Sequence, residues 1–406
     1  MKNILIVTQY FSPENFIINQ LAIYLAKKEC NVHVYSGYPS YPDRSNFVNK
    51  EINELSNIYK NITIHRYPIY HRRSGRINLA IHYLSYLLMG IIFSYKIISL
   101  NIKWDSILVF QISPITVILT GAWLKIFTKA KLITWVQDLW PDAVFSHFYS
   151  NKKKYPFNKK IREIINWLCI KIYSLSDLSL AQSLSYKDNL ETNLKNKRVE
   201  LVYNTIDDQN VEITANRKSY TESNNLNIIS AGNFSTTIPY DLFVNAIIKL
   251  KELYGKDIQW NFYGSGTQFE YFKKKVYSND IDDVVNLLGI VSQSQLPKIM
   301  SKNDLFILGL IDEPLISKTC PSRLIYAMAN SMPVIACANG EIARIVSESN
   351  CGFLSNPNDY DKLVSNIIKY KNMSANEKYN ISNNSLKFYK KNFQKDMLFE
   401  KIYNLL

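Results

Sequence analysis

The chain has 406 residues, of which 47% are hydrophobic and 20% charged, and a formal net charge of +14. That length exceeds one ordinary core and calls for two domains of about 200 residues, while the composition excludes disordered and fibrous classes. The charge is uneven: residues 1–204 hold 26 Lys and Arg against 13 Asp and Glu, and residues 205–406 hold 22 against 21, so only the first half calls for a polyanionic partner.

Residues 4–8 form a short β-branched run that reads as a buried parallel strand. Ser12, Pro13 and Glu14 supply an N-cap residue, a first-turn proline and a first-turn acid, predicting a helix that continues through Ile17, Leu21 and Leu25 to about Lys28. Residues 31–36 alternate as a second strand, and further strands are expected at 62–66, 106–111, 132–136, 178–181 and 200–202, with helical stretches between most of them. Residues 204–225 are polar and poor in large apolar side chains, as a linker would be. The pattern then restarts. Strands at 226–231, 258–263, 285–288, 305–310 and 334–336 alternate with helices at 240–253, 267–277, near 293–301, from about 322, and at 341–349. One or two amphipathic helices follow residue 386. Such alternation predicts an α/β protein of two Rossmann-like, doubly wound domains facing each other across a cleft, with ligands at the carboxyl ends of the strands.

Residues 84–100 are strongly apolar but shorter than the roughly 20 residues of a membrane span, and Lys96 interrupts them. A helix at the membrane surface, or partly packed in the core, is expected instead. His71, Arg72, Arg73 and Arg76 lie upstream, and Lys152, Lys153, Lys154, Lys159, Lys160 and Arg162 downstream; cations beside apolar surface attract anionic headgroups. Five scattered cysteines without metal spacing point to buried thiols in a reducing cytoplasm, and the apolar run after Met1 is too short for a signal-peptide core. The five histidines show no ligand spacing, and His33 and His65 fall in strands, where packing roles are expected.

No GxGxxG follows the first strand and no GxxxxGK[ST] occurs anywhere, which removes the dinucleotide and P-loop phosphate sites. Two shorter glycine turns stand at strand ends of the second half, Gly232-Asn233 and Gly264-Ser265-Gly266. A tight turn accounts for either one alone; the pair at adjacent strand ends suggests a nucleotide. Pro321-Ser322 opens a helix with Lys318 and Arg323 close by, a combination suited to a departing diphosphate. In the first half, Asp138, Trp140 and Asp142 cluster at a strand end, where aromatic faces and carboxylates suit a sugar.

Several segments together resemble the retaining family 4 glycosyltransferases, specifically their WbuB-like branch: ILIVTQYFSPENFIINQLA, SGYPSYP, WVQDLWPD, the AGN strand end, and PSRLIYAMANSMPVIAC followed by Gly340-Glu341. The resemblance covers nearly the whole chain in order. It implies the GT-B fold, with an acceptor domain over 1–204, a sugar-nucleotide domain over 205–388, and a terminal helix, 389–406, returning to the first domain. It further implies a metal-independent transferase without cofactor, moving an N-acetylated amino sugar such as N-acetyl-L-fucosamine from a UDP-sugar to a polyprenyl-diphosphate acceptor. The setting implied is O-antigen or capsule synthesis at the inner face of a bacterial plasma membrane, with an anionic membrane surface and no nucleic acid as partner.

Carried over by position, Asp138, Lys318 and Arg323 are the implied catalytic groups. Gly232, Asn233, Gly264, Ser265, Gly266, Pro321, Ser322, Tyr326 and Glu341 are the implied donor-binding residues; Pro13, Glu14, Asn15 and Trp140 are those for the acceptor. Many members carry two glutamates where this chain has Lys318 and Tyr326, so ribose recognition must differ here. Two rival readings are a non-hydrolysing UDP-sugar epimerase, which shares fold and pocket but has no use for a basic lipid-facing half, and a non-catalytic partner in polysaccharide assembly.

Overall fold

A computed structural model describes residues 1–41, 47, 51, 53–73, 75–149, 158–195, 197–207 and 225–406. Most of the expected linker, the Lys152–Lys154 cluster, Pro42 and Ser74 lie outside the described residues, as do the side chains of Arg76 and His147. The chain divides into two compact units, one of Met1–Val202 with Phe399–Leu406, the other of Tyr203–Leu398.

The first unit runs β1 (Asn3–Thr8), α1 (Ile17–Lys27), β2 (Asn31–Gly37), α2 (Glu54–Ile58), β3 (Ile62–Tyr67), α3 (Arg76–Ile92), α4 (Tyr95–Ile98), β4 (Ser106–Gln111) and α5 (Val117–Thr128). It continues with β5 (Lys131–Val136), α6 (Asp142–Tyr149), α7 (Lys159–Tyr173), β6 (Leu178–Ala181), α8 (Leu184–Asn193) and β7 (Arg198–Leu201). Its seven strands, all parallel, lie in the order β3-β2-β1-β4-β5-β6-β7. β1 and β4 are apolar on both sheet faces because helices cover both. Right-handed crossovers place α1 and α2 on one face and α3, α5 and α7 on the other, where α3 and α7 flank α5. The terminal segment joins the α1 side: Phe399 packs edge-on against Tyr24, and Glu400 pairs with Lys28 at 2.7 Å.

Two expectations change here. The first helix begins at Ile17, not at Ser12, and no side chain caps it. Ser12 N–H donates to Asn19 Oδ1 at 3.1 Å and Asn19 Nδ2 donates to the Glu14 carbonyl at 2.6 Å, so this segment is tied down as a loop. The apolar stretch belongs mainly to α3, which starts well before residue 84, and Ile77–Ile98 is long and apolar enough by length and composition to cross a membrane. Yet Tyr86 and His82 are fully buried and the Gly90 carbonyl accepts from Tyr35 at 2.7 Å, so one face of α3 is core.

The second unit runs β8 (Leu226–Ala231), α9 (Tyr240–Tyr254), β9 (Ile258–Tyr263), α10 (Phe269–Ser278), β10 (Val285–Leu287), α11 (Leu296–Met300), β11 (Leu305–Gly309) and α12 (Ser322–Ala329). Then come β12 (Val334–Cys337), α13 (Glu341–Ser349), β13 (Gly352–Ser355), α14 (Tyr360–Lys371), α15 (Ala375–Asn392) and α16 (Lys395–Leu405), which belongs to the first unit from Phe399 onward. The six parallel strands order as β10-β9-β8-β11-β12-β13. An apolar layer of Phe243, Trp260, Phe262, Phe272, Leu363 and Tyr370 packs α9, α10 and α14 on the sheet; each such side chain contributes roughly 1.5–3 kcal/mol on burial. Each unit is thus a parallel-sheet, Rossmann-like domain, as the alternation of strands and helices predicts.

In both units strand order reverses beside the first strand, between β1 and β4 and between β8 and β11. Ligands of such sheets bind at that reversal.

Candidate functional site

In the second unit the reversal opens into a cavity of about 340 Å³, lined by Ala231, Gly232, Asn233, Tyr263, Gly264, Ser265, Ile290, Val291, Gln293, Leu296, Met300, Phe306, Ser322, Arg323 and Tyr326. Backbone hydrogen bonds fix its floor. Gly232 N–H donates to the Tyr263 carbonyl at 2.9 Å, Phe234 N–H to Ser265 at 2.9 Å, and Gly264 N–H to Gly289 at 2.7 Å. Only glycine fits at 264, because φ is +133° and a Cβ there would overlap the Gly232 carbonyl. At Gly232, φ is +140° and the Arg323 side chain passes 3.5 Å from where a Cβ would stand.

Arg323 is the decisive charge. It rises from the first turn of α12, whose N-cap residue, Pro321, offers no side-chain cap. Among the described residues it makes no hydrogen bond and no ion pair. Burial pulls its pKa down to about 10, with the Tyr240 hydroxyl resisting that shift, and it stays cationic at neutral pH. A desolvated cation beside uncapped N–H groups, on the wall of a cavity, is a seat for an anion. No carboxylate lines the cavity; Asn233, Tyr263, Ser265, Gln293, Ser322 and Tyr326 are its neutral polar side chains.

The structure therefore gathers Gly232, Asn233, Gly264, Ser265, Ser322, Arg323 and Tyr326 around one space. Four other expected donor-site residues lie outside its lining. Gly266 supports the loop from behind, against Asn233 and the Phe234 backbone. Pro321 serves as N-cap. Lys318 sits in the preceding 3-10 turn, Ile316–Lys318. Glu341 is buried, its Oε1 accepts from Tyr203 at 3.2 Å and from Arg344 at 2.6 Å, and it is not part of the cavity lining. The sequence reading missed Ile290, Val291 and Gln293 on the loop after β10 and Leu296 and Met300 on α11; the signal available was Gly289, at φ +70° beside the second glycine turn.

In the first unit the carboxyl ends of the strands are crowded with polar side chains. Asp138 Oδ2 accepts from Ser113 N–H at 2.9 Å and Ser113 Oγ at 2.6 Å, and Trp140 Nε1 donates to the same Oγ at 3.2 Å. Glu14 is buried and accepts three backbone N–H groups: Phe11 at 3.0 Å, Ser40 at 2.8 Å and Tyr41 at 2.7 Å. Burial raises its pKa to about 7 against the pull of those bonds and of Arg66. Glu14 thus holds two loops together and presents no free oxygen to an acceptor, while Pro13 and Asn15, its neighbours, are at least partly exposed. Gln9, Gln111 and Gln137, at the ends of β1, β4 and β5, are buried, and each has one amide atom without a protein partner. Such orphaned groups mark places where water or substrate completes the bonding. His33 and His65, as expected, pack on each other, with ring nitrogens 2.9 Å apart. Among the described residues no group of three or more His, Cys, Asp or Glu side chains could hold a metal ion.

Residues 212–388 match the family "Glycosyl transferases group 1". No curated protein matches the chain. Solved structures with a similar fold include HepE of Anabaena in complex with UDP and glucose, at 14% identity and a TM-score of 0.66, with 100% of this chain and 99% of that one covered. Sucrose-phosphate synthase of Thermosynechococcus elongatus is similar at 14% identity and a TM-score of 0.71, covering 100% and 98%. So is the apo lipopolysaccharide outer core galactosyltransferase WaaB, at 13% identity and a TM-score of 0.64, also covering 100% and 98%. The two Rossmann-like domains constitute the GT-B fold. The group 1 match thus falls on most of the second unit, and the GT-B fold extends over the full chain.

Proposed function

We propose that this chain transfers a glycosyl group from a UDP-sugar to a lipid-diphosphate acceptor with retention of anomeric configuration, as a WbuB-like family 4 enzyme. The observation that carries the reading is Arg323: a partly buried guanidinium with no hydrogen-bond or ion-pair partner among the described residues, on the wall of a nucleotide-sized cavity. In this reading the diphosphate lies over Gly232 and the first turn of α12, where Arg323 and exposed N–H groups stabilise the charge that grows as the glycosidic bond breaks. The base lies toward Ile290, Leu296 and Met300. The UDP held by HepE supports uridine as that base. Ribose hydroxyls are received by neutral groups, since Tyr326 stands where many relatives place a glutamate. No metal or cofactor is required; UDP-sugar is a substrate.

The sugar is an N-acetylated amino sugar such as N-acetyl-L-fucosamine, and the product serves O-antigen or capsule assembly on a polyprenyl carrier. The enzyme works at the cytoplasmic face of a bacterial membrane. Supporting this, α3 exposes Ile77, Ile81, Leu84, Leu88 and Ile92 on one stripe, opposite its buried face. On the same side of the sheet α5 exposes Ile126 and Phe127, and α7 exposes Ile164 and Trp167 among Lys159, Lys160 and Lys171. Apolar stripes with interspersed lysines suit an anionic bilayer surface.

Arg323→Ala is expected to lower turnover on the order of 10²-fold, read as lipid-linked product by mass spectrometry after membranes are incubated with candidate UDP-sugars. Turnover near wild type in both Arg323→Ala and Lys318→Ala would remove the leaving-group assignment. Conversion of the UDP-sugar without any acceptor would instead identify an epimerase.

A further inference from the structure

The crowded edge of the first unit contains a second cation without a counter-charge among the described residues. Arg72 lies in the connection from β3 to α3, is half-buried, and forms no ion pair among the described residues. Its Nη1 donates to the Tyr10 hydroxyl at 3.0 Å, and its guanidinium lies 4.9 Å above the Tyr41 ring. Tyr83 stands within electrostatic reach of both Arg72 and Asp138, which ties this cation to the Asp138, Ser113 and Trp140 cluster.

The orientation of Arg72 is built in from behind. His82 is fully buried, and its Nδ1 lies 2.6 Å from the Tyr70 carbonyl, which can only accept, so Nδ1 carries the proton. Nε2 is then an acceptor, and it receives Gln9 Nε2 at 2.9 Å and the Tyr10 hydroxyl at 3.2 Å. Burial lowers the pKa of His82 and keeps the ring neutral. With its own proton committed to His82, Tyr10 turns a lone pair toward Arg72. One edge of the guanidinium is thereby fixed by Tyr10 and one face by Tyr41, Tyr83 accepts a further hydrogen bond from it, and the N–H groups left over stand in a partly desolvated setting, where an anion is bound most strongly. The exposed apolar stripe of α3 begins at Ile77, five residues further along the chain.

We infer that Arg72 is the phosphate-binding residue of the acceptor site, that Tyr10 and His82 are its positioning residues, and that its ligand is the diphosphate of a lipid-borne acceptor. This rests on the glycosyl-transfer reading for its biological setting, but not for its test. A diphosphate anion and an anionic headgroup share the chemistry Arg72 recognises, and the experiment separates them.

Full-length protein is saturated with UDP to fill the cavity of the second unit and titrated calorimetrically with inorganic pyrophosphate, then with farnesyl diphosphate. Pyrophosphate should still bind, farnesyl diphosphate should bind more tightly, and Arg72→Ala should weaken both by about tenfold or more, the scale of losing a charged hydrogen-bond donor. Arg72→Lys should recover part of that loss, because it keeps charge without the fork, and Tyr10→Phe should cost about threefold. Unchanged UDP affinity shows that each variant is folded. The assignment is overturned if Arg72→Ala leaves pyrophosphate affinity within twofold of wild type, or if UDP abolishes pyrophosphate binding. It is equally overturned if Arg72→Ala abolishes sedimentation with 3:1 phosphatidylcholine:phosphatidylglycerol vesicles while sparing pyrophosphate, which would make Arg72 a headgroup contact. Failure of the wild type to bind UDP would sink the donor reading and leave the pyrophosphate titration to decide this one.

Discussion

Both units build a parallel sheet that reverses direction beside its first strand, yet they finish that strand in opposite ways. After β8 the chain turns on Gly232 and leaves a cavity whose floor is backbone. After β1 it runs Gln9, Tyr10 and Phe11 into Glu14, all four of them buried, with the Glu14 carboxylate accepting from Phe11 N–H. The second unit offers N–H groups and one bare cation, which suit a ligand common to many enzymes, a nucleoside diphosphate. The first offers a particular set of side chains, Gln9, Tyr10, His82, Arg72 and Asp138, which can differ between enzymes that share a donor. On the proposed function, one sheet plan would carry a general nucleotide seat and a specialised acceptor edge.

The comparison breaks most sharply at Gly264. Gly264→Ala puts a methyl group into the Gly232 carbonyl at a backbone angle that only glycine tolerates easily. UDP affinity by calorimetry should fall on the order of 100-fold, by analogy with strained-site substitutions costing about 1–3 kcal/mol or more, while pyrophosphate binding to the first unit persists. Retained UDP affinity would mean the floor is not held by its backbone.

Glu14→Gln tests the opposite design. The amide can accept only through its oxygen, leaving at least one of the Phe11, Ser40 and Tyr41 N–H groups facing an NH2, at a cost of about 1–3 kcal/mol. Hydrogen exchange at Ser40 and Tyr41 should quicken accordingly, with UDP affinity unchanged. The pH dependence follows from the same group. Its folded pKa, raised to about 7, exceeds the ordinary glutamate value of 4.5, so the folded unit retains a proton that the unfolded chain releases between those values. That stabilisation is complete below about pH 4.5 and is lost as pH rises through about 7. Glu14→Gln should lack this slope; an identical pH profile in both proteins would assign it to another group.

The smallest effect is expected at the rim of the cavity. Ile290 is 78% exposed yet lines the cavity, so Ile290→Ser should weaken UDP only about two- to fivefold, the scale of partial loss of apolar contact. A hundredfold loss would relocate the base to that loop's centre.

Much of the architecture was legible because each half repeats apolar runs bounded by polar residues, and a strand buried on both faces can hardly look otherwise. The glycine turns were legible too, since a glycine directly after a buried strand is what a tight backbone turn toward a ligand requires, and Gly232 and Gly264 both stand there. What escaped the sequence was pairing at a distance. Ser12-Pro13-Glu14 imitates a helix start, but the Glu14 carboxylate is claimed by amides at Ser40 and Tyr41, 26 and 27 residues away. Glu341 follows a glycine at a strand end, as a ligand-binding acid would, but Tyr203 and Arg344 enclose it. β13 and α14 escaped as well, because Gly352–Ser355 mixes small and apolar residues without a clear period. That Arg72 and Arg323 lack a counter-charge among the described residues was invisible for the same reason: a missing partner has no sequence signature.

The stitched loops of the second unit have one more consequence. Because the Gly232 turn is bonded to the Tyr263 strand end, and the Gly264 turn to the segment at Gly289, the places that the proposed function gives to phosphate, sugar and base are joined to one another by the backbone itself. A ligand arriving there does not have to organise the peptide around itself, so pieces of the nucleotide can each find their own berth, and affinity can be assembled from fragments instead of arriving all at once.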